Sequence, residues 1–201
     1  MKRYDIINQF IQARGYTRFL EIGTDQGETY KRVIAPIRIS VDPNPASMAT
    51  YRIDSDAFFA LTNDHDNAEY NMQFDIIFID GLHTHDQAYR DINNAISVSR
   101  PGGIIIVHDC LPTSEKMQLP LDHYPGGEWT GDVWKAFVKI RSELNFETYT
   151  VDQDFGCGVI DLSRKKSSRV KLPSDMDAMT YDDFVNNRDK WMNVKEDILI
   201  D

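Results

Sequence analysis

Cysteine is scarce in this chain of 201 residues: Cys110 and Cys157 are the whole supply. Two thiols so placed form neither a disulfide framework nor the paired spacing of a zinc site. Both fall in or beside apolar, strand-like segments, where free cysteine behaves as a small buried hydrophobe. Long apolar runs are missing too, and nothing approaches the length needed to span a membrane. The opening Met1-Lys2-Arg3-Tyr4-Asp5 leads into an amphipathic stretch without a secretory apolar core, so a reducing cytoplasm is the expected location. Positive charge is in deficit, with 22 Lys and Arg against 32 Asp and Glu and a formal charge of −10. That balance repels phosphate backbones and argues against a nucleic-acid partner. The single basic cluster, Arg164-Lys165-Lys166 with Arg169 and Lys171 nearby, reads as a solvated loop. Internal repeats and low-complexity segments are also absent.

What is present suits one soluble core: 41% hydrophobic and 27% charged residues. Ile6, Ile7, Phe10 and Ile11 put a helix over Asp5 to Arg14. Phe19 to Ile22 reads as a strand, Gly27 to Ile34 as a helix stopped before Pro36, and Ile37 to Asp42 as a second strand. A short third strand is expected around Tyr51 to Ile53, then a helix through Phe58, Phe59 and Leu61 capped by Asp54 or Ser55. Phe74 to Asp80 is the clearest strand. A helix from Asp86 to Val98 follows, closed by Arg100-Pro101-Gly102-Gly103, and Ile104 to Val107 forms the next strand. Leu111 to Thr130 reads as a long loop, a length that is usually functional or disordered. Thr130 to Leu144 returns to helix, with Val133, Trp134, Phe137 and Ile140 on one face. Phe146 to Val151 and Cys157 to Leu162 are two closing strands, antiparallel because their connection is short. Residues 1–162 are expected to form one domain. The 163–201 tail offers no strand, and Thr180 to Val194 suits a terminal helix whose packing the sequence does not specify. Continuous apolar strands separated by helices indicate an α/β fold with a parallel sheet covered on both faces.

Chemistry concentrates where strands end. In Phe19-Leu20-Glu21-Ile22-Gly23-Thr24-Asp25-Gln26-Gly27, an apolar run meets an acid and then two glycines. Glycine lets the backbone turn sharply and lets a ligand approach where a Cβ would collide. The spacing is not the G-x-G-x-x-G dinucleotide fingerprint. A leading carboxylate suits a ligand carrying an ammonium and a sulfonium better than one carrying a pyrophosphate. Glu21, Asp42, Asp80 and Asp109 each end a proposed strand, and ligands of open parallel sheets bind outside those ends. Asp42 lies about 20 residues after the glycine loop begins, where an acid can accept ribose hydroxyls. Ser55 and Asp56 either receive an adenine amino group or cap a helix.

The first segment resembles motif I of the class I S-adenosylmethionine (SAM) dependent methyltransferases. The ordered series Phe78-Ile79-Asp80-Gly81-Leu82-His83, Pro101-Gly102-Gly103, His108-Asp109-Cys110 and Trp129-Thr130-Gly131-Asp132-Val133-Trp134-Lys135-Ala136 is similar to a small-molecule subfamily of that group. The resemblance spans Phe19 to Leu162. It implies a Rossmann-like three-layer sandwich with a mostly parallel seven-stranded sheet and an antiparallel last strand, SAM as methyl donor, and a small-molecule acceptor. It also implies that Glu21, Gly23 and Gly27 line the methionine part, Asp42 the ribose and Asp80 the transfer centre; Thr24, between the two glycines, is a further cofactor-binding candidate.

Methyl transfer needs an aligned acceptor and a base for its proton. Asp80, His83, His108 and Asp109 are the catalytic candidates. His83 ranks above His85 because it belongs to the Asp-Gly-x-His pattern, and His108 is either a base or a structural hydrogen-bonder. Asp80 with Asp109 resembles the acid pair that holds magnesium in catechol-type relatives. There the next residue is Asn; here it is Cys110, so one expected ligand of a divalent metal is gone. Trp134 reads as core, and Trp129 as a lid over the acceptor. A non-catalytic SAM- or nucleotide-binding module is the alternative from a different class, and NAD-dependent oxidoreduction is disfavoured by the glycine spacing. The sugar or secondary-metabolite acceptor, hydroxyl or amine, and the oligomeric state have no signal of their own.

Overall fold

Ile6, Ile7 and Phe10 are fully buried, and the helix they define, α1, runs Arg3–Arg14. The computed structural model describes residues 1–62, 72–166 and 171–200. α1 ends at Gly15, whose φ of +65° provides the left-handed cap. After it come β1 (Arg18–Ile22), β2 (Ile37–Val41), α2 (Ser55–Thr62), β3 (Phe74–Ile79), α3 (His85–Ser97) and β4 (Ser99–Val107). α4 (Val133–Glu143), β5 (Phe146–Val151), β6 (Cys157–Lys165), α5 (Tyr181–Met192) and β7 (Val194–Lys195) complete the chain.

The seven strands form one sheet in the order β2-β1-β3-β4-β6-β5-β7. β6 alone runs against its neighbours β4 and β5; the other pairings are parallel. Side-chain alternation sorts the core into two layers. Phe19, Ile76, Phe78, Ile104 and Ile106 meet α1 on one face. Leu20, Ile77, Ile79, Ile105 and Val107 meet α2, α3, α4 and α5 on the other. At about 1.5–3 kcal/mol per fully buried large apolar side chain, both layers contribute strongly to stability.

Several expectations change. Residues from Gly27 to Ile34 make turns, not a helix. Gly27 has φ +72°, and the arginines compete for the carbonyls: Arg32 Nη1 donates to Glu28 O at 2.8 Å and Arg38 Nη1 to Tyr30 O at 2.9 Å. The third strand is reduced to one bridge between Val41 and Tyr51, since the Ser40 hydroxyl takes the Thr50 amide at 3.0 Å. Arg100 to Gly103 does not close a helix. It forms an irregularity within β4, where pairing passes from Phe74–Ser99 to Ile76–Ile104. The long loop contains two short 3-10 turns, Glu115–Gln118 and Leu121–His123.

The tail does supply a strand, because β7 adds to the β5 edge. Its helix α5 begins with a capping box between Thr180 and Asp183. α5 packs Phe184 and Trp191 on Trp134 of α4, with ring centroids 4.9 and 6.2 Å apart. The basic cluster is not a solvated loop: Arg164 and Lys165 lie in β6, Arg164 Nε sits 3.5 Å from Asp161, and Lys166 Nζ donates to Arg141 O at 2.6 Å. Arg169 lies outside the described residues. Among those residues no helix is long and apolar enough to cross a membrane.

Candidate active site

β1 carries Glu21 to the carboxyl edge of the sheet and leaves it 1% exposed, with Oε2 lacking a hydrogen-bond partner. Burial, reinforced by the charge of Asp80, pushes its pKa up to about 8. Gly23 follows at φ +84°, and a Cβ there would lie 1.9 Å from the Asp80 carbonyl oxygen. The chain therefore passes flat against β3 at this point. Asp42, just past β2, fixes the turn: its Oδ2 accepts the Thr24 and Asp25 amides at 3.0 and 2.8 Å, and its Oδ1 accepts the Asn44 amide at 2.8 Å. Each carboxylate oxygen keeps lone-pair capacity beyond these bonds. Over this cradle lies a cavity of about 570 Å³, lined among others by Glu21, Gly23, Thr24, Asp42 and Asp80. An orphaned buried carboxylate and a cradle that a Cβ would fill fit a ligand with an ammonium group.

A second cavity of about 220 Å³ adjoins the first and shares Arg3, Asp80, His83 and Trp129 with it. At the junction Asp80 Oδ1 lies 3.3 Å from His83 Nε2 and 3.2 Å from His108 Nδ1. Asp109 closes the ring, with Oδ2 at 3.3 Å from His83 Nδ1 and Oδ1 at 3.2 Å from His108 Nδ1. Asp109 adopts φ +60°, the left-handed region that non-glycine residues rarely enter. Burial disfavours charge on Asp80, His83 and His108, but mutual attraction outweighs it. His108 and His83 hold Asp80 well below the carboxylate range, while Asp80 and Asp109 raise His83 and hold His108 well above the usual imidazole value. Asp154, from the β5–β6 turn, lies 3.7 Å from His108 Nε2 and is likewise held low against burial by His108 and Lys2.

The loop before α3 is clamped from across the fold. A Cβ on Gly131 would meet His83 O at 1.7 Å, and Asp132 accepts the His85 amide at 2.8 Å and pairs with His85 Nδ1 at 2.6 Å. His85 is thereby engaged in holding α4 to this loop and lines neither cavity. His83 stacks on Trp129, centroids 5.2 Å apart, and Trp129 borders both cavities. Trp134 is fully buried in the core.

The structure thus brings together Glu21, Gly23, Thr24, Asp42, Asp80, His83, His108 and Asp109. It does not bring Ser55, Asp56 or Gly27 to the cavity walls. Ser55 Oγ and Asp56 Oδ1 accept from Gln87 Nε2 at 3.1 and 3.3 Å, tying α2 to α3, and Asp54 caps α2 through the Ala57 amide at 2.7 Å. Arg3 and Asp154 were not singled out from sequence. Neither stands in a motif, and only the fold joins them, Arg3 Nη1 donating to Asp154 Oδ2 at 3.0 Å.

Asp80, His83 and Asp109 each present one donor atom, all within 4.8 Å of one another, so part of a cation site exists. Cys110, at the position expected to supply another ligand, is fully buried, its thiol pushed up by burial and directed at Val107 O, 3.4 Å away. Asp80, His83 and Asp109 are left as three donors, two of them acids, which is fewer than the roughly six oxygen ligands a hard dication takes.

Comparison with known proteins agrees with this geometry. A family described as "Methyltransferase domain" matches residues 20–110. No curated protein matches the chain. Among solved structures, cofactor-bound Rv0187 from MTB superposes with a TM-score of 0.61 at 15% identity, covering 81% of this chain and 80% of that one. The O-methyltransferase from Bacillus cereus in complex with SAH gives 0.57 at 16% identity, over 79% and 80% of the two chains. TomG from Streptomyces achromogenes, an O-methyltransferase of tomaymycin synthesis in complex with SAM, gives 0.57 at 13% identity, over 79% and 78%. Over residues 20–110 the chain is thus similar to a methyltransferase domain, and its sheet has the fold of these solved structures.

Proposed function

We propose that the protein transfers a methyl group from SAM to a hydroxyl of a small-molecule acceptor. The observation that carries this reading is the Asp80–His83–His108–Asp109 ring at the junction of two connected cavities. Bound SAM supplies a sulfonium methyl open to in-line displacement. Glu21 pairs with the ammonium, Gly23 lets the methionine part lie close, and Asp42 accepts ribose hydroxyls with its remaining lone pairs. His83 is the histidine that borders both cavities, so its neutral form orients the acceptor hydroxyl and takes its proton as the C–O bond forms and the C–S bond breaks. Asp80 and Asp109 hold the His83 ring and balance the imidazolium that results. Trp129 covers the junction. Phe155 and Glu128 continue the wall into a further cavity of about 570 Å³ that includes Tyr181 and Phe184, so loop and tail together supply acceptor specificity.

Titration of the full chain with S-adenosylhomocysteine tests the donor site. Glu21, with its pKa raised to about 8, is protonated at pH 6 and must ionise to pair with an ammonium. Binding then releases a proton, and affinity rises with pH by up to about tenfold per unit until pH 8, where it levels. Calorimetry in buffers of different ionisation enthalpy counts that proton. Glu21→Gln should flatten the profile and weaken binding. No binding at millimolar ligand would sink the whole reading.

The short donor set, with Cys110 buried away from it, also predicts metal independence. Turnover of hydroxylated acceptors should stay within about twofold after EDTA treatment. A loss beyond about tenfold, restored by Mg²⁺, would transfer part of the work to a cation held by Asp80, His83 and Asp109.

A further inference from the structure

Resting on the donor site just proposed, we infer that Arg3 is the receptor for the α-carboxylate of SAM. The larger cavity is lined by five acids, Glu21, Asp25, Glu28, Asp42 and Asp80. Those groups suit the ammonium and the sulfonium, but they repel the carboxylate carried on the same carbon as the ammonium. Arg3 is the sole lysine or arginine among the described residues lining this cavity, and the same holds for the smaller cavity beside it. Its placement is built, not incidental. As the first residue of α1 it sits over the strand ends, with its amide donating to Asp154 Oδ2 at 3.1 Å, its Nη1 to the same oxygen at 3.0 Å and its Nε to Thr29 Oγ1 at 3.1 Å. These contacts fix the guanidinium on two sides. Nε also lies 3.7 Å from Asp80 Oδ2, while Nη2 faces Glu28 Oε2 at 3.5 Å, and the Glu28 side chain is 58% exposed. That exposed pairing contributes little and yields readily to a better-aligned carboxylate. Arg3 and Glu21 also feel each other's charge across the cavity, so together they form a receptor of opposite signs for the amino-acid head.

The experiment compares two ligands that differ only in that head. S-adenosylhomocysteine carries the amino acid; 5′-methylthioadenosine keeps the adenosine and thioether without it. Arg3→Met should raise the dissociation constant for S-adenosylhomocysteine by about 10- to 100-fold and leave 5′-methylthioadenosine within about twofold. Arg3→Lys, which keeps the charge and the Asp154 tether, should show a smaller loss confined to S-adenosylhomocysteine, because an ammonium lacks the planar fork. Lys2→Ala, which removes the 2.8 Å pair with Asp154 but touches neither cavity, should bind both ligands normally. Equal weakening of both ligands in the Arg3 variants would make the residue a general support and overturn the assignment. Unchanged S-adenosylhomocysteine affinity would overturn it as well. If the unaltered protein bound neither ligand, the donor site itself would fail, which is a separate result.

Discussion

Gly23→Ala is expected to raise the dissociation constant for S-adenosylhomocysteine at least 100-fold. The added Cβ would stand 1.9 Å from Asp80 O, 2.4 Å from Asp80 C and 2.8 Å from Gly81 Cα, all backbone atoms without a rotamer to give way. Neither side can retreat easily. The Gly23 amide donates to Val41 O at 2.8 Å and the Asp80 amide to Ile22 O at 2.8 Å, so sheet bonds hold both segments. Backbone strain at φ +84° adds to the collision. Together these effects amount to roughly 2–6 kcal/mol. Relief requires β1 to part from β3 where Glu21 and Asp80 must both face the ligand. Gly27→Ala provides the contrast. Its φ of +72° carries strain, but the nearest atom to a Cβ there is Met48 Cβ at 3.5 Å, so binding should fall only slightly. Calorimetry and thermal unfolding of the two variants measure the difference. Binding by Gly23→Ala within about threefold of normal would remove the cradle from the account.

Asp80→Asn should lower turnover by about 10²- to 10⁴-fold while S-adenosylhomocysteine affinity changes only a few-fold. The amide keeps the shape of the carboxylate but not the charge that both imidazoles share, at 3.3 Å for His83 and 3.2 Å for His108. With that charge gone, His83 loses the counter-ion for the proton it must accept. Glu21 gains, since one of the forces raising its pKa is Asp80 itself. The effect should therefore appear in kcat and not in donor binding. Steady-state kinetics with saturating SAM and a panel of hydroxylated acceptors make the measurement, and undiminished kcat would take Asp80 out of the transfer step.

The sheet could be read from the chain because each of β1, β3 and β4 is an apolar run long enough to be buried on both faces. Local competition was harder to foresee. Nothing in the sequence marks Arg32 and Arg38 as taking the carbonyls that a helix after Gly27 would need. Nor does it mark the Ser40 hydroxyl as taking the amide of Thr50. The strand-end acids stood out because a carboxylate after an apolar strand is conspicuous at close range. Arg3 did not, since its partner Asp154 lies 151 positions away. Asp154 was hidden in a turn whose residues Asp154, Phe155 and Gly156 all have positive φ. Ser55 and Asp56 gained a partner that the chain does not advertise. They occupy an appropriate position in the chain, but Gln87 reaches them across the helix layer.

The β7 pairing has a consequence for how the molecule comes into being. β5 and β6 meet through a short hairpin and could zip together early, yet the outer edge of β5 waits for Val194 and Lys195. During synthesis that edge stands open until residue 195 has left the ribosome, while α5 cannot settle on Trp134 before its own last turn exists. An open strand edge beside an uncovered tryptophan is an invitation to other unfinished chains. Val194 and Lys195 therefore protect the molecule twice, by pairing an edge that could recruit another chain and by following the helix that covers Trp134.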